Sequence, residues 1–316
     1  MHPAARTAST TAPATAVRPH PTPGPAPRRA SRGLLLAVLC ALNAGGLFAS
    51  DINLPGVPAT AAAFHTPVAS VQWTFGAFMI GIAVSQAVYG PLSDAYGRKP
   101  VILLGLGVFT VASVGCAVAP TVEVFGAGRL LQALGAGAGM VLGRAVISDL
   151  HEATEAARMF ATVMPVVGVS PSVAPLIGGY LTTYVSWRAP FAVTAALGLA
   201  TLAVMATAIP ESLPPECRSR HLAATLRGYP RLLARPRFWA YTLNLAVAYG
   251  GYFGYLAASP LVFARLGLAT ETTSYCYVTV SLAYVAGNLT SRALVRRRPV
   301  DRLLRYGHAF FCGGRC

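Results

Sequence analysis

The sequence is short of charge. Only 11% of its 316 residues are Asp, Glu, Lys or Arg, while 54% are apolar and the mean hydropathy is +0.55. Soluble domains carry about 25% charged residues, so an ordinary water-coated fold is excluded. Acids are scarcer still, ten against 25 basic residues, and the formal net charge is +15. Such an excess can signal nucleic acid, yet too little charge remains for a wet binding face, so the placement of the cations decides. Lysine is nearly absent: Lys99 is the single one. The six cysteines, Cys40, Cys116, Cys217, Cys276, Cys312 and Cys316, form no CxxC pair, and His2, His20, His65, His151, His221 and His308 lie far apart. That pattern excludes a disulfide framework and a zinc site, and no metal or cofactor is expected. The glycine run Gly135-Ala136-Gly137-Ala138-Gly139 lacks a Gly-Lys-Ser/Thr ending, so it is no phosphate loop.

What the chain has is long apolar runs. Stretches of spanning length occur at about 33–56, 71–91, 101–119, 124–146, 159–182, 190–209, 238–260 and 272–294. They predict an all-α integral membrane protein of eight spans. Asp51 and the Leu54-Pro55 pair make the last turn of the first span irregular. Residues 1–32, rich in Ala, Pro and Thr and free of acids, read as a disordered basic tail. Residues 33–209 form a six-span unit. Residues 210–237 hold five prolines and join that unit to the last two spans. Within that linker Leu222, Leu226, Tyr229, Leu232 and Leu233 alternate with arginines at helical spacing, as in a helix lying on a membrane face. A solvated linker fits equally. Residues 238–316 hold two more spans, fewer than a repeat of the first unit would need, so a C-terminally truncated second half is expected.

The cations obey a topology rule. With the N-terminus inside, 21 of the 25 basic residues fall on the cytoplasmic side, and Arg188 and Arg265 fall outside. The positive charge is therefore an address in the membrane, and nucleic acid drops out as a partner.

Four segments carry chemistry. Between spans two and three runs Gly90-Pro91-Leu92-Ser93-Asp94-Ala95-Tyr96-Gly97-Arg98-Lys99, a tight loop in which Asp94 can latch a neighbouring helix end. In span four, Arg129 and Gln132 sit among small residues. A charge at that depth costs at least about 2.5 kcal/mol and must face a cavity or a partner. Span five carries Gly168, Pro171, Pro175, Gly178 and Gly179, which allow close helix approach and a bend. The first span ends in Asp51-Ile52-Asn53-Leu54-Pro55-Gly56-Val57-Pro58.

Together these resemble the major facilitator superfamily. The loop matches that family's GxLxDxxGRK pattern through Gly90, Asp94, Gly97, Arg98 and Lys99. Arg129 and Gln132 resemble the RxxQG motif of its drug:proton antiporters, with Ala133 in place of glycine. The Ala-Pro-Leu-Ile-Gly-Gly string of span five is similar to the antiporter motif. The Asp51 segment resembles that of the bicyclomycin-resistance and chloramphenicol-efflux branch. The resemblance implies a major-facilitator-type helical bundle with a complete six-span first half and about two spans of the second. It further implies a bacterial inner-membrane exporter of drugs or other small molecules, driven by protons and working by alternating access as a monomer among lipids. Asp51 and Arg129, whose depths overlap at about 1.5 Å of rise per residue, are expected to form an ion pair that couples protons to transport. Two other readings stay open: a non-transporting fragment of such a transporter, and a lipid-modifying membrane enzyme. For the latter the one acid cluster is Asp149, Glu152 and Glu155 beside His151, whose spacing fits a solvated helix end better.

Overall fold

The computed structural model describes residues 31–218 and 233–295. Residues 1–30 of the tail expected over 1–32, most of the interfacial stretch of the linker and everything beyond Val295 lie outside the described residues, and the last two residues of that tail, Ser31 and Arg32, instead cap and open the first helix. Among those described, the chain is helical throughout: α1 (Arg32–Asp51), a 3-10 turn (Leu54–Gly56), α2 (Val57–Ala63), α3 (Val68–Tyr96), α4 (Arg98–Val118), α5 (Val122–Leu150), α6 (Ala153–Tyr184), α7 (Ala189–Ala208), α8 (Pro236–Arg265) and α9 (Thr270–Val295).

Local chemistry sets several of these limits. Ser31 starts α1 by accepting the Leu34 amide at 3.3 Å, and Thr121 does the same for α5 with Val124. α1 stops at Asp51 because Pro55, four residues on, has no N–H to give the Asp51 carbonyl. The chain tightens into the 3-10 turn and resumes as α2. The reversal between α3 and α4 takes a single residue, Gly97, at φ 101°. Only glycine holds that conformation without strain.

Among the described residues six segments, the first running Gly33–Ala63, are long and apolar enough to cross a membrane. α8 and α9, 30 and 26 residues long, occupy the other two expected stretches. α5 is the axle of the bundle: 67% of its most apolar stretch is buried, against 22% for the peripheral α7. Its glycines permit this. At Gly135 an added Cβ would strike the backbone of Gly105 and Phe109 in α4, and at Gly139 the Leu42 backbone of α1. One apolar core joins Leu39, Ile102, Leu142, Ile147, Met159 and Met205, and a second packs Phe125 edge-on against Trp187 and Phe191. Outward-facing aliphatics such as Ile80, Leu104, Val111 and Leu199 are exposed, which suits hydrocarbon as the outer solvent.

Candidate functional site

The bundle has two polar ends. At the first, where α1 breaks, Arg129 of α5 is 2% exposed, the largest of the fully buried side chains. Its Nη1 donates to the Ala49 carbonyl at 3.0 Å and to Gln132 Oε1 at 2.6 Å. The Ala49 carbonyl belongs to the last turn of α1, where the helix no longer supplies amide partners and its dipole favours a cation. Gln132 lies one turn along α5, and its Nε2 donates onward to Ser113 of α4 at 2.8 Å and to Thr194 of α7 at 3.4 Å. The Phe78 and Phe191 rings close over the guanidinium, 4.2 and 5.7 Å from Cζ to ring centre. One side chain thus ties four helices together.

Asp51 is equally buried, at 2%, but the expected ion pair is absent: Asp51 and Arg129 make no direct contact between charged atoms. Equal depth does not mean equal bearing. Asp51 stands two residues beyond Ala49, about 200° further round the helix, so the guanidinium meets the helix end first. The 3-10 turn that follows Asp51 packs against α6 and α9, which sets the carboxylate near the contact between the first bundle and α9. A small cavity of about 10 Å³ lined by Ser50, Asn53, Thr74 and Arg129 lies beside them, and Asn53 Oδ1 has no hydrogen-bond partner.

At the opposite end Arg98 is the hub. It donates to Asp94 Oδ1 at 2.6 Å and Ser93 Oγ at 2.5 Å in α3, and to Asp149 Oδ2 at 3.0 Å in α5. Ser212 also donates to Asp149. Just past α7, Glu211 Oε1 accepts the Arg98 backbone amide at 2.9 Å and Glu211 Oε2 the Lys99 amide at 3.2 Å, capping α4 with a negative charge. Lys99 Nζ donates to the Ala206 carbonyl at 2.8 Å. An added Cβ at Gly97 would meet Glu211 Oε2 at 2.5 Å, so the glycine also makes room for that cap. Gly90 contributes its carbonyl to Ser93. The sequence pointed to Asp94, Arg98 and Lys99. It gave no sign that Asp149, Glu211 and Ser212 complete the cluster, because those partners lie 51 to 113 residues away.

The span-five residues divide by neighbour. Gly178 lies so close to the Ile52 carbonyl, and Gly179 to Ser274 of α9, that no side chain would fit at either. α6 thereby touches both the α1 break and the second set of helices, a contact extended by Tyr180 and Tyr275, whose hydroxyls are 2.9 Å apart. Pro175 is buried beside them, Pro171 half-buried, and Gly168 faces open space. No group of three or more His, Cys, Asp or Glu suited to a metal occurs among the described residues.

Comparison with known proteins places this architecture. The Major Facilitator Superfamily model matches residues 35–314. Multidrug resistance protein D of Escherichia coli strain K12 is 33% identical over 77% of this chain and 61% of its own length. The chloramphenicol resistance protein of Pseudomonas aeruginosa is also 33% identical, over 79% of this chain and 60% of its own. The chain therefore spans about three fifths of the length of these relatives. Among solved structures, an inward-facing, unoccupied bacterial homolog of the human lysosomal transporter Spinster superposes with a TM-score of 0.63 at 19% identity, covering 85% of this chain and 65% of that one. That likeness establishes the fold. The buried arginine, the single-glycine reversal and the α6 contact are thus features of a multi-pass membrane protein, and the chain belongs to the major facilitator superfamily, a family of transporters.

Proposed function

We propose that this chain serves proton-coupled efflux of drugs or other small molecules across the bacterial inner membrane, with its N-terminus in the cytoplasm. The names of the relatives favour efflux, and the crowding of cations into alternate loops favours the orientation. The observation that carries the coupling is the geometry around Asp51. Arg129 is held by a carbonyl, an amide and two aromatic faces, so its position does not depend on the Asp51 charge. Among the described residues Asp51 is the one buried carboxylate, and it stands beside the 3-10 turn that packs against α9. Ionised, it is attracted toward Arg129; protonated, it loses that attraction and hydrogen-bonds as a neutral acid. A change of one charge in a dry site shifts the balance between two packings of the bundle, which is what alternating access requires. Asp94 and Arg98 hold the cytoplasmic ends in one of these arrangements, and α6 transmits the shift to α9.

Expression of the chain in an efflux-deficient bacterium, with a cationic dye or chloramphenicol as probe, tests the reading. Protonophore-sensitive export is expected from the wild type, and Asp51→Asn abolishes its dependence on the proton gradient. Proton-driven export by Asp51→Asn at wild-type rates overturns the coupling role. A wild-type chain that inserts but exports nothing supports the non-transporting reading instead.

A further inference from the structure

Two points fasten the first bundle to α8 and α9, and both lie at the end that holds Asp51. At the first, Gln72 in the second turn of α3 donates from Nε2 to the Ala257 carbonyl of α8 at 2.5 Å. At the second, the Tyr180 and Tyr275 hydroxyls of α6 and α9 stand 2.9 Å apart, next to the close approach of Gly179 to Ser274. The same end is joined by an apolar core in which Leu54 and Phe75 pack against Leu256 and Tyr277. α8 also packs on α2 and the 3-10 turn, the two elements that follow the α1 break.

The chemistry of this seam differs from that of the Arg98 cluster. Its polar partners are an amide, a carbonyl and two phenols, and among the described residues no salt bridge crosses it. A neutral hydrogen bond costs little to exchange when each group has another partner to turn to. The Ala257 carbonyl lies inside α8, where its second lone pair stays with the helix, and Gln72 is only half-buried. Tyr180 and Tyr275 are 43 and 53% exposed, so water can take over either hydroxyl. The adjoining turn of α8 is loosened as well. Pro260 has no N–H for the Leu256 carbonyl, and the Ser259 hydroxyl bonds there instead at 3.3 Å.

We propose that Gln72 with Ala257, and Tyr180 with Tyr275, form one two-point clasp that closes the Asp51 end and parts as a unit, so that uncharged side chains set when Asp51 meets the solution at that end. Each point holds a different helix, α8 at Gln72 and α9 at Tyr180. These two helices are themselves tied by the Ser259 and Tyr277 hydroxyls, 2.8 Å apart and both buried. Release at one point therefore lets α8 and α9 swing together and strains the other point. Gln72 acts only by placing α8 and is a positioning residue. The clasp rests on the alternating-access reading proposed above.

The test is photo-oxidation of the whole chain in phospholipid nanodiscs with a ruthenium trisbipyridyl sensitiser and persulfate, which couples neighbouring phenols into dityrosine, read by peptide mass spectrometry. The Tyr180–Tyr275 product reports the clasp. The Tyr180–Tyr184 product, from two stacked rings of α6 with centroids 5.8 Å apart, is the internal standard. Both products are expected in the wild type, and Tyr275→Phe removes the first alone. Gln72→Met, which keeps the stem and loses the donor, lowers the ratio of the first to the second several-fold, although residue 72 belongs to another helix. Gln72→Glu, which turns the donor into an acceptor, lowers it at least as far. Gln86→Met, at an exposed position further along α3, leaves it unchanged. A ratio unmoved by Gln72→Met and Gln72→Glu, or moved as far by Gln86→Met, overturns the coupling of the two points, and absence of the Tyr180–Tyr275 product from the wild type overturns the clasp. No substrate, proton gradient or export enters the measurement. A chain that exports nothing but shows the coupled ratio counts against the efflux reading alone, and one that exports with an uncoupled ratio counts against the clasp alone.

Discussion

Arg129 and Arg98 sit at opposite ends of one bundle and are held in opposite ways. Arg129 is fully buried and has only neutral partners in direct contact, whereas Arg98 is 12% exposed in its side chain and grips two carboxylates. In a dry interior, a carbonyl at a helix end, an amide and two rings stabilise a cation without bringing a second full charge into low dielectric. Near water, carboxylates cost less to place and make stronger individual bonds. The contrast teaches a division of labour: paired charges fasten helices near the water-exposed end, and a titratable acid without a salt bridge stands in the dry interior, where the proposed coupling would need it.

The comparison breaks most visibly at the buried end. Arg129→Ala strands Gln132 Oε1 and the Ala49 carbonyl, and is expected to destabilise the protein by about 1–3 kcal/mol for each acceptor left unmet, seen as a lower thermal midpoint in detergent. Arg129→Lys recovers little, since an ammonium reaches neither both acceptors nor both rings as a planar fork does. At the other end Arg98→Ala loses hydrogen bonds to two acids, for about 1.5–3 kcal/mol in the same assay. Salt sharpens the contrast. Raising ionic strength from about 0.01 M to 1 M cuts the screening length from about 30 to 3 Å. Wild type should lose part of the Arg98 contribution, while Arg98→Ala should be almost insensitive to salt. The smallest effect on stability belongs to Asp94→Asn. Its carboxylate is 40% exposed and shares Arg98 with Asp149, so less than about 1 kcal/mol is expected. On the proposed function efflux should nonetheless fall clearly in that variant, because there the Asp94 contact favours one arrangement of the bundle; unchanged efflux would count against the role.

Much of the fold was legible in the sequence because hydrocarbon imposes a simple rule: spanning length and apolarity announce themselves without alignment or contacts. Each expected stretch coincides with a helix, and the irregularity expected near Leu54-Pro55 is the 3-10 turn. The site was legible where its partners are neighbours in the chain, as in Asp94 and Arg98, four residues apart. It was not legible where bearing mattered. Depth along a helix follows from counting residues, but the direction in which Asp51 points follows from how α1 docks on α5, and counting placed it on Arg129. Glu211 illustrates the same limit: an acid just past a span looks like solvated trim until the fold carries it to the start of α4.

Because Lys99 is the chain's single lysine, the latch carries its own reporter. An amine-reactive reagent finds two kinds of target, the N-terminal amine and an ammonium whose hydrogen bond to the Ala206 carbonyl fastens the start of α4 to the end of α7. The rate at which Lys99 is modified then measures how often that fastening is undone. Its dependence on pH or on an added drug would time any opening of this end of the bundle without any engineered label.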